Sequence, residues 1–114
     1  IAPDLTLPQL DQIIATSEQH RIAGIIATNT TLDHSGVPSD REETGGLSGA
    51  PLRTKSTEII RAIKQRTRLP VIGVGGVRDA ESAREKLAAG ACLVQVYTEY
   101  VYRGPALLRE LADA

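Results

Sequence analysis

Apolar positions fall along this chain in two alternating rhythms. Gly24–Thr28 (GIIAT), Val71–Val74 (VIGV) and Cys92–Val96 (CLVQV) are short runs rich in β-branched residues, the mark of buried strands. Between them the apolar residues recur at helical spacing. Leu10, Ile13 and Ile14 predict a helix over Pro8–His20, with Pro8 tolerated in its first turn. Ile59, Ile60 and Ile63 predict another over Ser56–Arg66, where Ser56 can cap the start and Lys64 and Arg66 suit the C-terminal dipole. Asp79 caps a further helix, with Ala83 and Leu87 facing inward and Gly90 ending it. A last helix follows Gly104 and Pro105, with Leu107, Leu108 and Leu111 inward. The opening IAPDLT reads as the end of one more strand.

The resulting order is (β)αβ-loop-αβαβα, and alternating strands and helices imply a parallel sheet. The strand runs are apolar on both faces, so both faces are expected to be covered. About three and a half strands leave open edges. An open doubly wound sheet fits this order. The C-terminal half of a (β/α)8 barrel, roughly strands five to eight, better explains a chain that starts on a strand end. Residues 1–114 then form one partial barrel domain, the N-terminal half being absent. Asn29–Lys55 has no period and is rich in glycine and proline, so it reads as a loop. Loops longer than about 12–15 residues are usually functional or disordered.

Composition narrows the picture. A chain of 114 residues suits one small domain. With three Tyr and no Phe or Trp, the core has to come from Ile, Leu, Val and Ala. A formal net charge of −1 gives no basic surface for nucleic acid. No apolar stretch is long enough to span a bilayer, and no signal peptide is visible. One cysteine, Cys92, excludes an internal disulfide and reads as a small buried hydrophobe within its strand. Asp79, Glu81, Arg84, Glu85 and Lys86 read as a solvated helix face. No cluster has metal-ligand spacing, and neither His20 nor His34 has the setting of a catalytic base.

The chemistry sits at the predicted strand ends. In βα barrels these ends build the functional face. Glycines in IGVGGV (Ile72–Val77) free backbone N–H groups to face an anion, and a following helix N-terminus adds its dipole. A tight βα turn would also use glycine there. Arg78 stands where a dinucleotide fingerprint needs its third glycine. If the last two strands are the seventh and eighth of a barrel, Gly75, Gly76, Tyr97 and Thr98 mark a phosphate position. ATNTT (Ala27–Thr31) offers an amide and three hydroxyls, which read carboxylates and ring carbonyls but equally serve a cap or Asx-turn. ETGGLSGAPL (Glu43–Leu52) places three more glycines in the long loop.

IAPDLT, ATNTT, ETGGLSGAPL, IGVGGV and LVQVYT…VYRGP, in this order, resemble the dihydroorotate dehydrogenases, and TNTT with ETGGLSG resembles their quinone-dependent, membrane-associated class. The resemblance covers nearly the whole chain. It implies an FMN-containing βα barrel that oxidises dihydroorotate to orotate in pyrimidine biosynthesis and passes electrons to a ubiquinone-type quinone. It implies FMN contacts from Thr28, Gly49, Gly76, Tyr97 and Thr98, and substrate contacts from Asn29 and Thr30. Tyr97, Val101 and Pro105 match a region lining the quinone path. The family's flavin-contacting lysine falls just before Ile1, and its catalytic serine, further asparagines and membrane-contacting N-terminal helical region fall upstream, so no catalytic residue is expected here. Glu99 departs from a position that is usually small or apolar. Another FMN- or phosphate-binding flavin barrel, or a non-catalytic half-barrel, stays open as an alternative. The resemblance implies that the isolated chain shows no dehydrogenase turnover; orotate production by the pure 114-residue protein would contradict it.

Overall fold

The computed structural model describes residues 1–114. Its helices are α1 (Leu7–Gln19), α2 (Arg53–Lys64), α3 (Ala80–Ala88), α4 (Thr98–Arg103) and α5 (Pro105–Ala112). Its strands are β1 (Ile25–Ala27), β2 (Val71–Val74) and β3 (Leu93–Gln95). The strands form one parallel sheet in the order β1-β2-β3. Successive strands are joined through α2 and α3, as parallel pairing requires.

Local chemistry explains most of the boundaries. Thr6 and Gln9 form a capping box at α1: the Gln9 amide donates to Thr6 Oγ1 (3.3 Å) and the Thr6 amide to Gln9 Oε1 (2.9 Å). Asp79 caps α3 in the same way, its Oδ1 accepting from the Ser82 amide at 2.8 Å. The opening segment forms no strand, but it lies beside β1. The Ile1 amino group donates to the Ile26 carbonyl (2.8 Å), and the Asn29 amide donates to the Ile1 carbonyl (2.7 Å).

Several details depart from the sequence pattern. Ser56 does not cap α2. A 3-10 turn over Ala50–Leu52, with Pro51 in it, starts the helix earlier, and Ser56 is buried inside α2 with its hydroxyl on the Val74 carbonyl at 2.5 Å. Leu87 is 39% exposed, while its neighbour Lys86 is fully buried. Helical rotation of one position decides which of the two faces the sheet. Cys92 precedes β3 and is exposed, its thiol donating to the Val71 carbonyl. Residues Thr98–Arg103 form α4, because the chain turns helical before Gly104 and not only after it. In α5 Leu107 is buried, but Leu108 is about half exposed.

The helices cover one face of the sheet. Leu10, Ile14, Ile25, Ala27, Ile59, Ile60, Ile63, Val71, Ala89 and Ala91 form a continuous core there. Burying each such Leu or Ile stabilises the fold by roughly 1.5–3 kcal/mol. Gly73 fits this layer tightly: a Cβ would stand 3.1 Å from side-chain atoms of Ile60, Lys86 and Ala91. The other sheet face is not covered, contrary to the two-sided burial its apolar sequence implied. Ile26, Ile72 and Leu93 stand in register on it, with Ile26 49% and Leu93 61% exposed. In a closed barrel this face would point inward.

Candidate functional site

Beyond Ile26, Ile72 and Leu93, the same bare face continues to the C-terminal strand ends, where it becomes polar. A cleft of about 330 Å³ opens there, within the size range of ligand sites. Thr28, Asn29, Thr30, Gly49, Gly76, Tyr97 and Thr98 all line it. The structure thus gathers the residues expected to meet flavin and substrate around one opening, while Val101 and Pro105 of the expected quinone path do not line it. Their chemistry differs. Thr28 is 3% exposed, and its hydroxyl is buried without any partner in the chain. Such a group is costly unless a ligand satisfies it. Tyr97 is 76% exposed and forms the rim. Asn29 Oδ1 accepts from the Thr30 amide at 2.7 Å, and the NH2 group of this cleft-lining side chain keeps its donors unused within the chain.

The β2 end supplies backbone donors. The amides of Gly75, Gly76 and Val77 donate to no acceptor in the chain, whereas the next amide, that of Arg78, goes to Ser82 Oγ at 2.9 Å. Gly75 and Gly76 have φ of +116° and +71°, a conformation that side chains resist. Space also demands glycine at position 76, since a Cβ there would lie 2.5 Å from Arg53 Cα. Successive unpartnered amides in a turn form an anion-binding concavity.

The long loop crosses the mouth from the β1 end to the β3 end. It is fixed at both sides. Thr31 and Leu47 exchange backbone hydrogen bonds of 3.0 and 2.7 Å. This brings Gly46 against the Thr30 side chain, where a Cβ would collide with Thr30 Oγ1. At the far side Thr98 Oγ1 donates to Ser48 Oγ at 2.9 Å, and Gly49, with φ of +81°, places backbone on the cleft wall.

Asp4 anchors this crossing. Its Oδ1 accepts from Lys55 Nζ and Thr31 Oγ1, both at 2.6 Å, and its Oδ2 accepts from the Leu32 amide at 2.8 Å. Lys55 first, then Thr31 and Leu32, hold the Asp4 carboxyl down at about 2. Lys55 is raised in turn, chiefly by Asp4. Behind Gly76, Arg53 makes a two-pronged bond to Glu85 (2.8 and 2.6 Å) and reaches Glu81 at 3.1 Å, and the Glu85 bond chiefly raises its pKa. Sequence reading missed these pairings, because partners 51 and 32 residues apart leave no local signal. His34 stays outside the cleft, with Nε2 on the Gly45 carbonyl at 2.7 Å. No group of three or more His, Cys, Asp or Glu side chains is placed to hold a metal.

Comparison with known proteins points to one family. A family model described as dihydroorotate dehydrogenase matches residues 1–114. A dihydroorotate dehydrogenase (quinone) of Gloeobacter violaceus is 54% identical over 97% of this chain and 32% of its own length. The protein of that name from Cronobacter sakazakii is 53% identical over 97% of this chain and 34% of its own. The chain thus spans about a third of the length of the curated relatives it matches. A crystal structure of DHODH from Eimeria tenella in complex with ferulenol superposes with a TM-score of 0.91 at 37% identity, covering 99% of this chain and 31% of that one.

The Asp4 carboxylate yields a signed prediction. Its folded pKa lies below the ordinary 3.8, so its contribution to stability is present above about pH 4 and lost as pH falls toward 2. Asp4→Asn should lower the melting temperature at pH 7 and flatten its fall between pH 5 and 2. An acid limb of unchanged steepness in thermal scans would remove Asp4 as the anchor.

Proposed function

The chain belongs to the dihydroorotate dehydrogenase family, and from that membership and the cleft together we propose that it forms the flavin-phosphate and substrate-edge side of a quinone-dependent dihydroorotate dehydrogenase. The observation that carries the reading is the pairing of three free amides at Gly75–Val77 with the unpartnered Thr28 hydroxyl in one cleft. That donor set fits a flavin mononucleotide. The Gly75 and Gly76 amides, with Thr98, would hold its phosphate. Thr28 Oγ1, the Gly49 backbone and Tyr97 would contact the rest of the molecule. When bound, FMN supplies the two-electron acceptor chemistry for oxidising dihydroorotate to orotate, with a ubiquinone-type quinone as the final acceptor.

The chain's own residues bind and orient. The Asn29 NH2 group and the Thr30 hydroxyl donate toward the carboxylate or ring carbonyls of the substrate. The Asp4–Thr31–Leu32 contacts fix the backbone from which both side chains project. The Thr31–Leu47 and Ser48–Thr98 contacts hold the loop over the cleft and limit water there. No side chain lining the cleft is a strong base, so the proton leaving substrate carbon is assigned to a residue of the remaining two-thirds of the family's length. Tyr97, Val101 and Pro105 are all exposed, which suits the approach of a quinone along them. Contact with a membrane would fall to the family's upstream region; no helix here is long and apolar enough to cross one.

The test uses the full-length protein, assembled by seating this chain in place of the matching third of the Gloeobacter violaceus relative. It should retain FMN and reduce a quinone analogue only when dihydroorotate is present. Asn29→Ala should lower kcat/KM for dihydroorotate by about 10- to 10²-fold, consistent with loss of a donor to a charged group. Its flavin content should stay that of the parent. Unchanged KM and kcat would remove Asn29 from the substrate site, and an assembled protein free of flavin would contradict the cofactor assignment.

A further inference from the structure

Lys86 has no part in the site described above, yet it is fully buried. Burying an ammonium is costly, and a Met would fill similar space without that cost. No carboxylate lies within salt-bridge distance of Lys86. Its Nζ instead donates to the Arg53 carbonyl at 2.9 Å and to Thr57 Oγ1 at 2.7 Å. The Thr57 hydroxyl donates to the same Arg53 carbonyl at 2.9 Å. Burial pushes Lys86 down from its ordinary value to about 8.

Arg53 is therefore gripped by α3 from two directions. Lys86 holds its carbonyl, while Glu85 and Glu81 hold its guanidinium. Arg53 opens α2, and Leu52 at the cap position supplies no side-chain cap bond. The backbone of Arg53 in turn meets Gly76, where a Cβ would lie 2.6 Å from Arg53 N. The path from Lys86 to the free amides of Gly75–Val77 thus runs through one residue.

We propose that Lys86 is a positioning residue for the anion cradle, its buried ammonium fixing the first turn of α2 and so the surface against which Gly76 aims its amide. The inference rests on reading the cleft as a flavin-phosphate site. It sharpens that reading to one moiety, because Lys86 acts on the phosphate end and not on the isoalloxazine ring. A residue needed only for packing would weaken every flavin ligand alike.

Titration of the flavin-stripped full-length protein with FMN and with riboflavin, which lacks the phosphate, separates the two. Lys86→Met should weaken FMN binding about tenfold, as expected for a lost charge-assisted contact, and riboflavin binding by less than about twofold. Equal weakening of both ligands, or of neither, overturns the inference while leaving the flavin site intact. Should Lys86→Met not fold, Thr57→Val carries the test. A fall of roughly threefold in the preference for FMN supports the inference, in line with loss of one neutral hydrogen bond. An unchanged preference overturns it. A parent protein that binds neither ligand contradicts the flavin reading and this inference with it.

Discussion

The backbone of Gly76 lies directly on the backbone of Arg53, and the geometry of the cleft follows from that contact. It is possible only with glycine, because any Cβ would enter the first turn of α2. It joins the turn after β2, which carries the free amides, to α2, which carries the core isoleucines 59, 60 and 63. It also ties the cleft to α3, through the Arg53 guanidinium and carbonyl. Burial of an apolar layer on one side of the sheet thereby sets the direction of unpaired donors on the other. A rigid scaffold holding exposed backbone donors is what anion recognition in a loop requires.

The second constraint is the loop from Asn29 to the start of α2. Its length would favour mobility, but three contacts hold it. Asp4 with Lys55 pins its base, Thr31 with Leu47 folds it back, and Ser48 with Thr98 closes it on the β3 side. Gly46 and Gly49 serve different ends within it. Gly46 lets the loop return against Thr30, and Gly49 adopts a positive φ where the loop meets the cleft. The bare inner face with Ile26 and Leu93 continues the same opening downward. It has the character of a barrel interior whose remaining wall is supplied by the rest of the family's length.

Much of this was legible in the sequence, for reasons that differ by element. The strands and the inward stripe of α2 announced themselves through β-branched runs and the 3.6-residue period. The strand-end glycines and the ATNTT segment pointed to the strand ends, although tight turns and caps draw on the same residues. The orientation of α3 was not legible. Glu85, Lys86 and Leu87 are consecutive, and only the position of Arg53 on another helix makes the lysine the buried member. Ser56 misled for the opposite reason. A serine before an apolar stripe is a good cap, but Pro51 and Leu52 had already begun the helix and left Ser56 to face the Val74 carbonyl. One-sided burial of the sheet escaped notice as well, because apolar strands look alike whether a helix or the far wall of a barrel covers them.

Amide chemical shifts test the central claim most directly. In the full-length protein labelled with ¹⁵N, addition of FMN should move the Gly75, Gly76 and Val77 resonances downfield, as free N–H groups acquire an anionic acceptor. Riboflavin should leave them nearly in place while shifting Thr28 and Gly49. Saturation with FMN that leaves these three amides unmoved would contradict the account.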